Sequence, residues 1–147
     1  MSTISVVIPT RNDALLLAVC LEALSRQSRR ADEVIVVDNG STDNTAEVCA
    51  AAGARRIAVE LPGIAAATAC GFDAADTEII ARLDTDSVPP VDWLERVEAI
   101  LDRAGPLSAV SGPGNFYGGT RFTRWVGGRV WIPGYAWVIG LLLGHPP

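Results

Sequence analysis

The feature that most constrains the fold is a repeated alternation between short β-branched runs and segments with helical signals. The apolar runs are "ISVVIP", "EVIVVD", "RRIAVE" and "EIIARLD", and each is followed after a short connection by a helical pattern. Such alternation favours a doubly wound, mostly parallel sheet with helices on both faces. We therefore predict an α/β fold, with a further strand over "LSAVSG", residues 107–112.

Caps and apolar spacing predict where the helices begin and which faces they bury. Asn12 or Asp13 is the expected cap of the first helix, and Ser41 or Thr42 that of the second, which Gly53 should end. The expected buried face of the first helix is Leu15, Leu16, Val19, Ala23 and Leu24. A later helix, with Pro90 in its first turn, should bury Trp93, Leu94, Val97, Ile100 and Leu101.

Composition excludes several classes of protein. The chain has 147 residues, about one domain, and a net charge of −5, which argues against a nucleic-acid partner bound through a basic surface. All its basic residues are arginine, so a phosphate-binding loop ending in Gly-Lys and lysine Schiff-base chemistry are both excluded. Cys20, Cys49 and Cys70 have no metal-ligand spacing, and we expect them to be free thiols buried on helices.

The composition changes near residue 112, where glycine and aromatic residues become frequent. We therefore predict a ligand-binding α/β domain over residues 1–111 and an incomplete second region over 112–147. The final apolar stretch, Val138 to Leu143, is too short to cross a bilayer. It is core, a contact with a membrane surface or a second subunit through residues 130–143, or part of an incomplete domain, which we favour. The N-terminus shows no secretory signal, so we expect a cytoplasmic protein. If residues 130–143 bind a membrane surface, we expect that surface to be the cytoplasmic face of the membrane.

Polar clusters occupy the ends of three predicted strands, "PTRN", "DNGS" and "DTDS". Sheets of this kind bind ligands outside the carboxyl ends of their strands. Asp84 and Asp86, two apart on a strand, would share a face, where they either bind a divalent cation or form a solvated pair with a turn-capping role. Asp38 either contacts a ribose or base or forms a turn. Thr10, Arg11 and Asn12 offer a hydroxyl, a guanidinium and an amide to a base or a phosphate; alternatively, Asn12 is a helix cap and Arg11 a solvated charge.

The segments "VVIPTRND", "VVDNGSTDNT", "GIAAATACGFDAA" and "ARLDTDSVPPVDWLE" together resemble the motifs of family 2 glycosyltransferases with the Rossmann-like GT-A fold, over about residues 3–101. The resemblance implies an Asp-x-Asp motif at Asp84 to Asp86 that binds Mg²⁺ or Mn²⁺ through Asp86 and Asp84. It implies nucleotide-sugar contacts by Pro9, Thr10, Arg11, Asp38, Gly63 and Asp84.

The resemblance also implies an activity, namely metal-dependent, inverting transfer of a sugar from a nucleotide diphosphate sugar, usually a UDP-sugar, to an acceptor hydroxyl. The acceptor, whether glycan, lipid or small molecule, is not indicated. Family members commonly carry arginine and asparagine where this chain has Thr68 and Ala69. No aspartate or glutamate follows Asp102, so no general base is identified, and the Gln-x-x-Arg-Trp element is missing around Arg124 and Trp125.

We therefore expect the donor-binding part of a truncated glycosyltransferase that is inactive or feeble alone. The alternative is a non-catalytic nucleotide-binding or interaction module that keeps the fold without the base. Other enzyme classes fit poorly: "GGTRF" lies too late for a sugar nucleotidyltransferase, and "PTRNDA" lacks the glycines of a dinucleotide-binding loop. A receiver domain would need an acidic pair after the first strand and a late lysine. His145, beside two prolines, is expected to be incidental rather than a metal ligand.

Overall fold

The structure is a computed structural model that describes residues 1–60, 63–105 and 108–111. Contacts divide the chain into two compact units, Met1–Ser108 and Ala109–Pro147, and the fold below is that of the first. The predictions for residues 112–147, including the stretch 130–143, Arg124, Trp125 and His145, lie outside the described residues.

Strands and helices alternate along the first unit, as the sequence predicts. The strands are β1 (Ile4–Thr10), β2 (Glu33–Asp38), β3 (Arg55–Ala58) and β4 (Ile79–Arg82). The helices are α1 (Ala14–Ser25), α2 (Thr45–Ala52), α3 (Ile64–Ala74) and α4 (Trp93–Ala104). In the described part of the chain, residues 108–111 form no strand, so the predicted strand over 107–112 is wrong there. Its residues are mostly small or polar and have little apolar surface to bury.

The sheet is parallel throughout the described residues, in the order β3-β2-β1-β4. Because β1 lies inside the sheet, every one of its residues is buried. One face packs Ile4, Val6 and Ile8 against residues of α1, α2 and α4, and the other packs Val7, Ile35 and Val37 against α3. The predicted doubly wound α/β fold with helices on both faces is therefore confirmed.

Helix α1 buries a different face from the one that the sequence predicts. Leu15, Leu16 and Val19 are 83%, 38% and 46% exposed. The buried residues are instead Ala14, Leu17, Cys20, Leu21 and Leu24. Ten of the twelve residues in "ALLLAVCLEALS" are apolar, so several faces satisfy helical spacing, and packing against the sheet decides between them.

The predicted stripe of α4 is largely confirmed, because this helix has a clear polar side. Leu94 is fully buried, and Trp93, Val97 and Leu101 pack against the same core. Ile100 is 45% exposed, so its predicted burial is wrong. The buried amide of Gln27 fixes the start of the helix: Nε2 donates to the Pro90 carbonyl at 2.7 Å, and Oε1 accepts from the Leu94 N–H at 3.1 Å.

Helix α2 begins later than its predicted cap. The residue before it is Asn44, and neither Ser41 nor Thr42 caps it, although Gly53 ends it in the left-handed conformation, as predicted. Asp43 takes part of the capping role, because its Oδ1 accepts hydrogen bonds from the N–H (3.2 Å) and hydroxyl (2.6 Å) of Thr45.

The three cysteines are free thiols on helices. Cys20 and Cys49 are buried, as predicted, whereas Cys70 is only partly so. Burial, with the charge of Asp86, raises the pKa of the Cys20 thiol to about 11, so this thiol stays neutral at physiological pH. None of the described helices is both long and apolar enough to cross a membrane.

Candidate functional site

A cleft of about 520 Å³ opens at the carboxyl ends of β1 and β4, with the start of α3 beside it. Four segments that are far apart in sequence contribute to it. Its lining residues are Pro9, Thr10, Arg11, Asp13, Asn39, Gly63, Ile64, Ala67, Arg82, Asp84, Thr85 and Asp86. The cleft thus brings together all the predicted site residues except Asp38.

The two acidic side chains of the cleft lie in a turn rather than on a strand. Strand β4 ends at Arg82, and the Ser87 N–H donates to the Asp84 carbonyl at 3.0 Å across the turn. The predicted placement of Asp84 and Asp86 on one face of a strand is therefore wrong, because both follow the last strand residue. Both still line the cleft and are exposed. An Arg82 guanidinium nitrogen lies 2.6 Å from Asp84 Oδ1, which offsets part of their mutual repulsion.

The residue between these acids has the opposite environment. Thr85 is 8% exposed, and its hydroxyl donates to the Pro9 carbonyl at 2.8 Å. Sequence reasoning assigned it no role, because the direction of its side chain depends on the register between β4 and β1, which the motif does not show.

Thr10, the last residue of β1, lines the cleft, but its hydroxyl is buried. Thr10 is 5% exposed, and its Oγ1 has no hydrogen-bond partner within the described residues. A buried polar atom without a partner is uncommon and has to be explained. The neighbouring Arg11 is exposed at the cleft and can face an anionic ligand. Gly63 stands at the start of α3 with φ of +91°, a conformation that glycine adopts without strain.

Asp38 is held by the protein itself and does not line the cleft. It is 1% exposed; its Oδ1 accepts from the Ser41 N–H at 2.9 Å, and its Oδ2 from Arg56 Nε at 2.7 Å. Burial alone would raise the pKa of Asp38, but the hydrogen bonds from Ser41 and Arg56 outweigh it and lower the pKa below its ordinary value. The residue that lines the cleft here is the next one, Asn39, which directly follows β2.

Side-chain hydrogen bonds tie the loop after β1 to the loop after β2. Asn12, at φ +52°, accepts at its Oδ1 from the Thr42 N–H at 2.7 Å, and its own N–H donates to Ser41 Oγ at 2.9 Å. Asp43 Oδ2 accepts from the Ala14 N–H at 2.9 Å. Asp13, one of the two predicted caps of α1, is the residue before the helix, but its side chain makes no capping hydrogen bond. Asp43 from the other loop bonds the helix start instead.

A divalent cation fits the chemistry of the cleft. The described residues contain no cluster of three or more histidine, cysteine or acidic side chains that could hold a metal alone. Two exposed carboxylates, with the remaining ligands supplied by phosphates and water, are nevertheless a common set for Mg²⁺ or Mn²⁺. The pairing of Asp84 with Arg82 means that such an ion would compete with a guanidinium.

Two of the cleft residues that sequence reasoning missed, Asp13 and Arg82, are charged. Each lies within a quoted motif segment, "VVIPTRND" or "ARLDTDSVPPVDWLE", but only the fold shows that it lines the cleft. In the third motif, Thr68 Oγ1 donates to the Ile64 carbonyl of its own helix at 2.8 Å, and Ala67 lines the cleft instead.

Comparison with known proteins agrees with this fold. The chain belongs to glycosyl transferase family 2, whose family model matches residues 5–140. An uncharacterized glycosyltransferase of Mycobacterium tuberculosis is 36% identical over 104 residues, covering 71% of this chain and 46% of the relative. The chain thus spans less than half the length of that relative.

Solved structures have the same architecture. Residues 1–349 of TarS from S. aureus match with a TM-score of 0.64 at 24% identity, over 69% of this chain and 32% of that one, a likeness that concerns the fold alone. Glucosyl-3-phosphoglycerate synthase from Mycobacterium tuberculosis, solved in complex with Mn²⁺, UDP and glucosyl-3-phosphoglycerate, matches with a TM-score of 0.52. That match has 30% identity over 57% of this chain and 33% of the synthase.

Proposed function

We propose that this chain is the donor-binding part of a metal-dependent, inverting glycosyltransferase. The donor that it binds is a nucleotide diphosphate sugar, namely a UDP-sugar. The observation that carries the proposal is the cleft itself, which Asp84 and Asp86 line together with Thr10 and Arg11. The buried hydroxyl of Thr10 has no hydrogen-bond partner among the residues that the structure describes. Family membership and a synthase of similar fold solved with Mn²⁺ and UDP support it.

Each group has a role in donor binding. Thr10, at the end of β1, contacts the base or ribose, and Arg11 offsets the negative charge of the diphosphate. Asp84 and Asp86 hold Mg²⁺ or Mn²⁺ together with phosphate oxygens, and the ion when bound neutralises charge on the leaving diphosphate. Asp38 acts through the adjacent backbone: by bonding the Ser41 N–H it shapes the loop that contains Asn39.

The acceptor half of the reaction lies elsewhere in the proposed enzyme. Displacement by an acceptor hydroxyl at the anomeric carbon inverts its configuration and needs a general base. The chain has no acidic residue after Asp102, and it spans less than half of its mycobacterial relative. We therefore propose that the rest of a longer parent protein supplies the base and the acceptor site.

Isothermal titration with UDP, with and without Mn²⁺, tests the donor site. Wild-type protein should bind UDP more tightly with Mn²⁺, and Asp86→Asn should weaken the Mn²⁺-dependent affinity by roughly tenfold or more, because a charged ligand to the ion is lost. Asp73→Asn is the matched control, since Asp73 is exposed and does not line the cleft. Absence of UDP binding by the wild type contradicts the proposal.

A second candidate, a non-catalytic nucleotide-binding module, is favoured by the missing acidic residues after Asp102. It predicts the same UDP binding but no transfer by the parent protein. A transfer assay on the longer parent protein, with a panel of UDP-sugars and acceptors, separates the two.

A further inference from the structure

Thr85 differs from both of its neighbours in the cleft. Asp84 and Asp86 are exposed, whereas Thr85 is 8% exposed and points its hydroxyl at the Pro9 carbonyl, 2.8 Å away. The turn after β4 is thus fixed to β1 through the one residue that separates the two acids.

The position of this hydrogen bond follows the register of the sheet. Residue pairing between β4 and β1 ends at Val7 and Arg82, and the Leu83 N–H still donates to the Val7 carbonyl at 3.1 Å. The next hydrogen bond of the ladder would lie two residues further along each segment. Its acceptor would be the Pro9 carbonyl, and its donor would come from Thr85. In a parallel ladder the backbone N–H would donate there. The Thr85 hydroxyl donates instead, so the sheet contact continues while the backbone turns away.

We propose that Thr85 is a positioning residue for the metal-binding acids, an inference that rests on the proposed function. Its side chain takes over a ladder hydrogen bond, which frees the backbone to turn and present Asp84 and Asp86 to the cleft, next to Thr10. Valine matches threonine in shape but cannot donate, and it would leave the buried Pro9 carbonyl without this donor.

The test compares Thr85→Val with Thr85→Ser in the full 147-residue chain, by UDP titration with and without Mn²⁺ and by thermal unfolding. Thr85→Val should weaken Mn²⁺-dependent UDP binding by roughly tenfold, while UDP binding without Mn²⁺ changes little. Thr85→Ser keeps the hydroxyl and should stay within about twofold of wild type. If Thr85→Val does not fold, Thr85→Cys, which keeps a weak donor, takes its place and should bind with intermediate affinity.

The outcomes distinguish the inference from the proposed function. Wild-type protein that binds no UDP overturns the proposed function, and this inference with it. Wild-type binding that Thr85→Val retains in full overturns the inference alone. A parallel loss of binding with and without Mn²⁺ also overturns it, because a purely structural role would affect both.

Discussion

A buried carboxylate such as Asp38 is stable only when its charge is compensated. Here both oxygens have partners, one in the Ser41 N–H and the other in Arg56, whose side chain is 36% exposed. Because these hydrogen bonds favour the charged form, they lower the pKa of Asp38 and link its ionisation to folding.

The lowered pKa predicts how Asp38→Asn changes the pH dependence of stability. The contribution of Asp38 is fully present above its unfolded pKa of about 3.9, and it is lost as pH falls through the lower folded value. At pH 7 the variant should be less stable by about 1–2 kcal/mol. That difference should shrink below about pH 4.

Urea unfolding of both proteins at several pH values between 7 and 2 measures this difference, with Asp73→Asn as the control. A stability difference that is the same at pH 7 and pH 2 would contradict the assignment. It would mean that the loss comes from packing rather than from the charge.

At the scale of one element, Gly71 sets how closely α3 approaches the sheet. A Cβ at this position would lie 2.3 Å from Val7 Cγ1 and 2.8 Å from Val37 Cγ2, closer than atoms in contact allow. Both valines are fully buried in β1 and β2, so they have little room to move. Since Gly63 and Ala67 at the start of α3 line the cleft, a displaced helix would also change the site.

Gly71→Ala is therefore expected to destabilise the protein by about 1–3 kcal/mol, despite the higher helix propensity of alanine. Chemical unfolding measures the change. Combining it with Val7→Ala removes the nearest clashing atom, so the double variant should lose less stability than the sum of the two single variants. Additive losses would show that the clash is relieved by other means.

The elements differ in how far sequence could predict them. The alternation of strands and helices was readable because buried parallel strands form continuous apolar runs. The buried face of α1 could not be predicted from the sequence, because Leu15 and Leu17 are equally apolar and only packing against the sheet distinguishes them. In the site, motif spacing predicted that Thr10 and Asp86 belong to the cleft. The burial of Asp38 could not be predicted in this way, because it depends on Arg56 from another strand. The role of Thr85 depends on sheet register, which the motif does not show.

At the scale of the described unit, every strand is parallel, so the loops that form the cleft all leave the same edge of the sheet. A ligand that binds in the cleft contacts loops that the strands of the sheet hold together. It should therefore stabilise folding as a whole rather than one loop.

Thermal unfolding should consequently report donor binding. With UDP and Mn²⁺ both present at about 100 times the dissociation constant, mass action adds roughly 2.7 kcal/mol and should raise Tm by roughly 5–10 °C. UDP alone and Mn²⁺ alone should each give a smaller shift, and Asp86→Asn should remove most of the combined effect. A shift from Mn²⁺ alone as large as the combined one would place the ion elsewhere.

The hydrogen bonds between the loops after β1 and β2 have a consequence for affinity. Asn12 accepts from a backbone N–H of the loop after β2, and Asp43 accepts from the backbone N–H of the first residue of α1. Arg11 and Asn39 therefore lie on segments that are hydrogen-bonded to each other. A nucleotide that binds beside these two loops would have to order little of the protein backbone. Less of its interaction energy would therefore be lost to conformational entropy. Removing the hydrogen bond of Asn12 or of Asp43 should speed nucleotide release, even though neither residue lines the cleft.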